Sequence, residues 1–154
     1  MTNLNVKKLT ETAQLPTQAN PLDAGWDLYA DEDVEIWPGE VALISTGISL
    51  EIPEGYVGLI WDRSSLGVKG VHRHAGVIDS GYRGEVKVCL HNTNTSTFPK
   101  HVATYADKGV SFTASKGDRI AQILFQKVPL FNLVESNDLA ETTRGAEGFG
   151  SSGK

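Results

Sequence analysis

From the N-terminus through Trp61 no stretch keeps apolar residues at a 3.6-residue period over ten positions, whereas short runs of period-2 alternation recur between turn signals. That excludes a helical architecture and predicts strands. Residues 4–9 alternate weakly. Trp26, Leu28 and Ala30 alternate against Asp27 and Tyr29. Residues 34–37 and 41–46 flank the turn residues Pro38 and Gly39. Residues 48–52 set three apolar side chains inward and Ser49 and Glu51 outward, and residues 56–61 follow a Pro53-Glu54-Gly55 turn. Many short strands at close spacing predict an all-β sandwich or jelly roll.

At 154 residues and 40% hydrophobic, the chain is of a size to bury one core without disulfides. Its single cysteine, Cys89, stands in an apolar alternation and is expected as a small buried hydrophobe. A net charge of −5 and a pI near 5.3 argue against a sequence-independent grip on nucleic acid. No apolar run reaches membrane-spanning length and the N-terminus carries no signal-peptide core, so a soluble, cytoplasmic protein with no membrane partner is expected.

The stretch Gly76-Val77-Ile78-Asp79-Ser80-Gly81-Tyr82-Arg83-Gly84 sets one carboxylate and one aromatic ring among glycines, ahead of a strand over 85–90. Asp79 falls where a strand gives way to a turn, a position that fixes a side chain and leaves it open to a ligand. Taken alone, it also fits a turn aspartate whose carboxylate bonds its own backbone two residues on. Residues 63–70, starting Arg63-Ser64-Ser65, break the strand rhythm and are expected as one helical turn capped by a serine hydroxyl. His72 and His74 have no cysteine or carboxylate at ligand spacing and read as surface residues.

Residues 93–115 exceed the length of a hairpin connection, and their second half, with Val110, Phe112 and Ala114 alternating, is expected as strand. A turn at Lys116-Gly117-Asp118 leads into a strongly apolar strand through Phe125. Beyond Val134 the apolar supply ends. Residues 1–135 are therefore expected to form one domain and 136–154 a flexible arm. Gly148 to Lys154 match the outline of a Walker loop, but no strand precedes them and no helix has room to follow.

Five segments, taken in chain order, resemble the five motifs of the trimeric deoxyuridine triphosphatase (dUTPase) family. They are Ala24-Gly25-Trp26-Asp27-Leu28, Arg63-Ser64-Ser65-Leu66, the 76–84 stretch, Gly117-Asp118-Arg119-Ile120-Ala121-Gln122, and Arg144-Gly145 with Gly148-Phe149-Gly150-Ser151. The resemblance implies a distorted jelly roll, a β-clip type barrel, that assembles as a homotrimer with shared active sites. It also implies hydrolysis of dUTP to dUMP and pyrophosphate by water attack on the α-phosphorus, which limits uracil in DNA and supplies dUMP. By that likeness Asp79 activates the water and Asp27 helps hold Mg²⁺. Arg63, Ser64, Ser65, Gln122 and Arg144 bind phosphates, and the backbone of Gly76, Val77 and Ile78 reads uracil. Tyr82 packs under the deoxyribose and crowds its 2′ position, Phe149 covers the base, and Gly150, Ser151 and Ser152 reach the terminal phosphate. Lys87 is expected near the site. The chain departs from the family pattern at Asp62, where proline is common, and at Glu147. Two rival readings are a dCTP deaminase of the same fold and a nucleotide-binding regulator. The deaminase would need a glutamate at the position of Cys89.

Overall fold

The structure, a computed structural model, describes residues 3–94 and 111–148. Ten strands follow in chain order: β1 (Asn5–Lys8), β2 (Trp26–Tyr29), β3 (Val34–Ile36), β4 (Val41–Glu51), β5 (Tyr56–Trp61), β6 (Val71–His74), β7 (Val77–Ile78), β8 (Glu85–Asn92), β9 (Phe112–Ala114) and β10 (Arg119–Lys127). One short helix, α1 (Ser64–Gly67), lies between β5 and β6. The strands form two four-stranded sheets, ordered β1-β4-β8-β6 and β2-β10-β5-β7, and a β3-β9 ribbon. Neighbouring strands run antiparallel. The arrangement is of jelly-roll type, but the barrel is not closed: β1 and β6 end one sheet, β2 and β7 the other.

Both sheets face one core. Ile44, Ile48 and Leu50 of β4, Val86, Val88 and Leu90 of β8, Leu28 of β2, and Ile120 and Ile123 of β10 are fully buried. Each such side chain is worth about 1.5 to 3 kcal/mol against exposure. The fully buried polar side chains are paired, and among the described residues only the Nε of half-buried Arg73 is taken inside without a partner. Asn92 donates to the Ile36 carbonyl at 2.9 Å and Asn94 to the Lys69 carbonyl at 2.7 Å, which ties the end of β8 to the loop after α1. Thr10 and Thr12 donate to the buried Asp31 carboxylate at 2.5 and 2.7 Å, pinning the loop after β1 to the body. The Thr10 hydrogen bond, helped by Thr12 and Lys116, holds that carboxyl below the usual carboxylate range despite its burial.

Several expectations need correction. The runs 41–46 and 48–52 merge into the single strand β4, whose register against β8 slips between Ser45 and Ser49. Ser49 stays on the face opposite Ile48 and Leu50, yet it is buried there, and its hydroxyl donates to the Arg83 carbonyl at 2.7 Å. The first residue bounding α1 is Arg63, and no side chain caps the helix. Cys89 is half-buried rather than a core residue. It shares its parity with Glu85 and Lys87, whereas Val86, Val88 and Leu90 face the core. Residues 128–148 hold no strand. Phe131 and Leu133 are 79% and 97% exposed, so the last expected apolar run lies outside the body. No helix among the described residues is long and apolar enough to cross a membrane. Most of the 93–115 segment, including Val110, lies outside the described residues, and β9 forms its end.

Candidate active site

β7 reaches its place as an edge strand, with Ile78 opposite Gly58 and Val77 opposite Leu59 of β5. The chain enters it through Ala75 and Gly76, at φ 62° and 131°. A side chain at Gly76 would bring its Cβ within 2.9 Å of the Ile60 Cβ, and the Gly76 carbonyl accepts the Ile60 N–H at 2.8 Å. Only glycine fits this conformation at this distance. After β7 the Tyr82 N–H closes a turn on the Asp79 carbonyl at 3.0 Å. Asp79 is therefore not the self-bonded turn aspartate. The backbone carbonyl makes the turn, and the exposed carboxylate has no hydrogen-bond partner among the described residues.

Tyr82 folds back over Gly84, where any Cβ would collide with the phenol, and its hydroxyl donates to the Glu85 carbonyl at 3.0 Å. The ring is thus held as a rigid wall that is 45% exposed. Together with Leu43, Val77, Ile78, Glu85 and Lys87, Asp79 and Tyr82 line an open depression of about 490 Å³. Lys87 lies 3.4 Å from Glu85, whose other oxygen accepts the Gly47 N–H at 2.9 Å. Leu43 and Glu85 were not singled out in the sequence. Leu43 arrives from β4 only through the pairing of β4 with β8, which local periodicity does not encode.

A second polar cluster is built around Asp27. Arg63 Nε donates to one of its oxygens at 2.9 Å and Arg119 to the other at 3.2 Å. Arg63 also reaches the Arg119 carbonyl at 3.2 Å and the Ser65 hydroxyl at 3.4 Å. With no side-chain cap on α1, Ser64 and Ser65 are exposed beside these guanidinium groups. Gln122 donates to the Asp62 carbonyl at 2.8 Å, and the Asp62 carboxylate accepts the Arg73 N–H at 2.7 Å. Where the family pattern has a rigid ring, this chain has a hydrogen-bonded brace between the turn that enters α1 and β6. Arg119, not among the site residues expected from the sequence, is a full member of the cluster. No group of three or more His, Cys, Asp and Glu among the described residues converges as a metal cage.

The two clusters do not meet within one chain. β10 and β5 lie between β2 and β7. Three inter-strand spacings of about 4.8 Å separate Asp27 from Asp79 by about 14 Å across the sheet. Asp27 pairs with Gln122 and Gln122 with Trp61, whereas the residue after Ile78 falls opposite Val57. That offset adds about 14 Å along the strands at about 3.4 Å per residue. Arg144 lies in the exposed 128–148 segment, bonded to the Glu147 carbonyl at 3.1 Å and to neither cluster. Phe149, Gly150, Ser151 and Ser152 lie outside the described residues.

Known proteins bear out the resemblance. The profile of the dUTPase family matches residues 11–103 and 99–153. The deoxyuridine 5′-triphosphate nucleotidohydrolase of Mycolicibacterium gilvum is 46% identical over 160 residues, covering 99% of this chain and 96% of that protein. The enzyme of the same name from Mycobacterium tuberculosis is 41% identical over 160 residues, with the same shares covered. Among solved structures, Staphylococcus bacteriophage 80alpha dUTPase with dUPNHPP superposes with a TM-score of 0.88 at 32% identity over 100% of both chains. The dUTPase of phage phi11 of S. aureus, described with a structural Mg(II) ion, gives 0.76 at 28% identity over 89% of this chain and 98% of that one. Near-complete coverage in sequence and in structure, with all five motifs in order, carries one conclusion: this chain belongs to the dUTPase family.

Proposed function

We propose that the protein hydrolyses dUTP to dUMP and pyrophosphate at sites that several copies of the chain build together, as a homotrimer. The observation that carries the reading is the carboxylate of Asp79, without a hydrogen-bond partner among the described residues, beside the fixed ring of Tyr82. Asp79 orients a water toward the α-phosphorus and takes its proton as the P–O bond to pyrophosphate breaks. The pyrophosphate leaves with the electrons of that bond. Tyr82 packs under the sugar and leaves no space for a 2′-hydroxyl. β7 is an edge strand, so the backbone groups of Val77 and Ile78 that point away from β5 are free to pair with the edge of uracil. Lys87 adds a positive charge at the rim.

The phosphates call for Arg63, Ser64, Ser65 and Gln122. Within one chain these lie far beyond the two P–O–P links that separate an α- from a γ-phosphate, so a second copy supplies them. Arg144, Phe149, Gly150, Ser151 and Ser152 come from an arm that closes over the bound nucleotide. Both oxygens of Asp27 already face guanidinium groups. A Mg²⁺ brought by the triphosphate would therefore find no bare oxygen on Asp27, and Asp27 would help to hold it only through water. When bound, such an ion neutralises charge on the phosphates.

The test is a panel of dUTP, dCTP, dTTP and UTP with Mg²⁺, following pyrophosphate and ammonia separately. Pyrophosphate from dUTP alone is expected. Ammonia from dCTP would replace the reading with deamination, and binding without either product would replace it with a regulatory one.

A further inference from the structure

On the outward face of β6 and β8, three of the four histidines and the single cysteine stand at adjoining positions. His72 lies opposite His91, and His74 opposite Cys89. Their strand neighbours Val71, Val88, Leu90 and Asn92 are the ones that face the core. Side chains directly across such a pair have Cβ atoms about 4.5 to 5.5 Å apart, so four groups of metal-ligand type share one patch. Two of them already meet on the diagonal. His74 Nε2 is 2.9 Å from His91 Nδ1, with ring centroids 5.0 Å apart. The rings therefore approach edge to edge through these nitrogens. One of the two is an N–H donor and the other presents a bare lone pair.

We propose that His74 and His91 are the core ligands of a transition-metal site, for Zn²⁺ or the chemically similar Co²⁺ and Ni²⁺, completed by Cys89 and His72. Bonds of about 2.0 to 2.1 Å place tetrahedral ligand nitrogens about 3.4 Å apart, so the pair opens by about half an ångström and the rings turn until both lone pairs converge on the ion instead of facing each other. The shared hydrogen moves to the far nitrogen of the donor ring, which leaves both near nitrogens able to ligate. His72 now rests 3.6 Å from the Asp62 carboxylate. Both side chains are substantially exposed, so that contact gives way at little cost. Cys89 enters as thiolate and offsets the charge of the ion. No three candidate ligands converge beforehand among the described residues; the ion itself gathers the site from neighbours in register. Imidazole and thiolate select this class of metal over Mg²⁺, which prefers oxygen. The two histidines of β6 lack ligands in their own segment because their partners arrive from β8, 17 positions away from His74 in the case of His91.

The test uses the full chain, freed of metal by a chelator and titrated with ZnCl₂ by calorimetry and with CoCl₂ by absorbance. One ion per chain is expected. The cobalt complex should show the intense visible bands of tetrahedral Co²⁺ and a near-ultraviolet thiolate band that vanishes in Cys89→Ser. His74→Gln and His91→Gln should each weaken Zn²⁺ binding by about tenfold or more, while His101→Gln leaves it unchanged. Melting temperatures without metal verify folding, and because the two variants sit on different strands, either one decides the matter. Parent-like Zn²⁺ affinity in either His74→Gln or His91→Gln, or its loss in His101→Gln, overturns the site. A cobalt complex without the thiolate band overturns the part given to Cys89.

Discussion

The carboxylate of Asp79 is open because the turn after β7 is closed through its backbone carbonyl, so the side chain is not spent on local structure. Asp79→Asn keeps shape and removes the base. Turnover should fall about 10²- to 10⁴-fold with nucleotide binding retained, and near-normal kcat would remove Asp79 from the mechanism. Asp31 is the contrasting case, a carboxylate wholly committed to Thr10, Thr12 and Lys116 and held ionised below the ordinary range. A depressed folded-state pKa gives stability that is fully present above the unfolded value and is lost as pH falls through the folded one. Asp31→Asn should therefore melt below the parent at neutral pH, and the gap should narrow as pH drops below about 4. A gap that stays constant down to the acid limit would mean that Asp31 contributes no ionic stabilisation. The free carboxylate of Asp79 was legible as a strand-end position, but not as free. Turn sequences permit both a backbone and a side-chain acceptor, and only the folded chain chooses.

Among the elements, strands declared themselves by period 2 wherever one face is buried, as in β8 and β10. The same parity rule, applied strictly, puts Cys89 with Lys87 and away from the core. The expectation of a buried thiol failed because apolar neighbours outweighed position. The case against a deaminase rests on the chemistry of Cys89, a thiol where that reaction needs a glutamate. β4 was read as two strands because Gly47 punctuates it, yet both halves pair with β8 across a register slip. Such pairing is a long-range property that local sequence does not carry. The five-motif resemblance carried the candidate site further than periodicity did. The arm shows the reverse balance, silent in packing and central to the proposed chemistry. Deleting residues 144–154 removes no buried side chain among those described, so the melting temperature should hold. Losing Arg144 and the glycine-serine donors should lower kcat/KM by about 10²-fold or more, as loss of preorganised donors costs about 3 kcal/mol. Full activity after truncation would sink the closing arm while leaving the family assignment intact.

At the scale of the whole molecule, the proposed sharing of a site between copies rests on the separation of the Asp79 and Asp27 clusters within one chain. Two inactive variants with lesions in different clusters should therefore rescue each other. Asp79→Asn and Arg63→Ala, each with little activity alone, should regain a measurable fraction of dUTP hydrolysis when unfolded together and refolded as mixed assemblies. No recovery, with parent protein regaining activity by the same procedure, would show that both clusters must belong to one chain. The exposed run that carries Leu130, Phe131, Leu133 and Val134 adds a practical consequence. Apolar surface that its own body leaves bare is tolerated only while something else covers it. Storage behaviour should then follow concentration in an unusual direction: dilute samples, where copies part, should lose activity and cling to vessel walls sooner than concentrated ones. Substituting that run with serine should abolish the clinging.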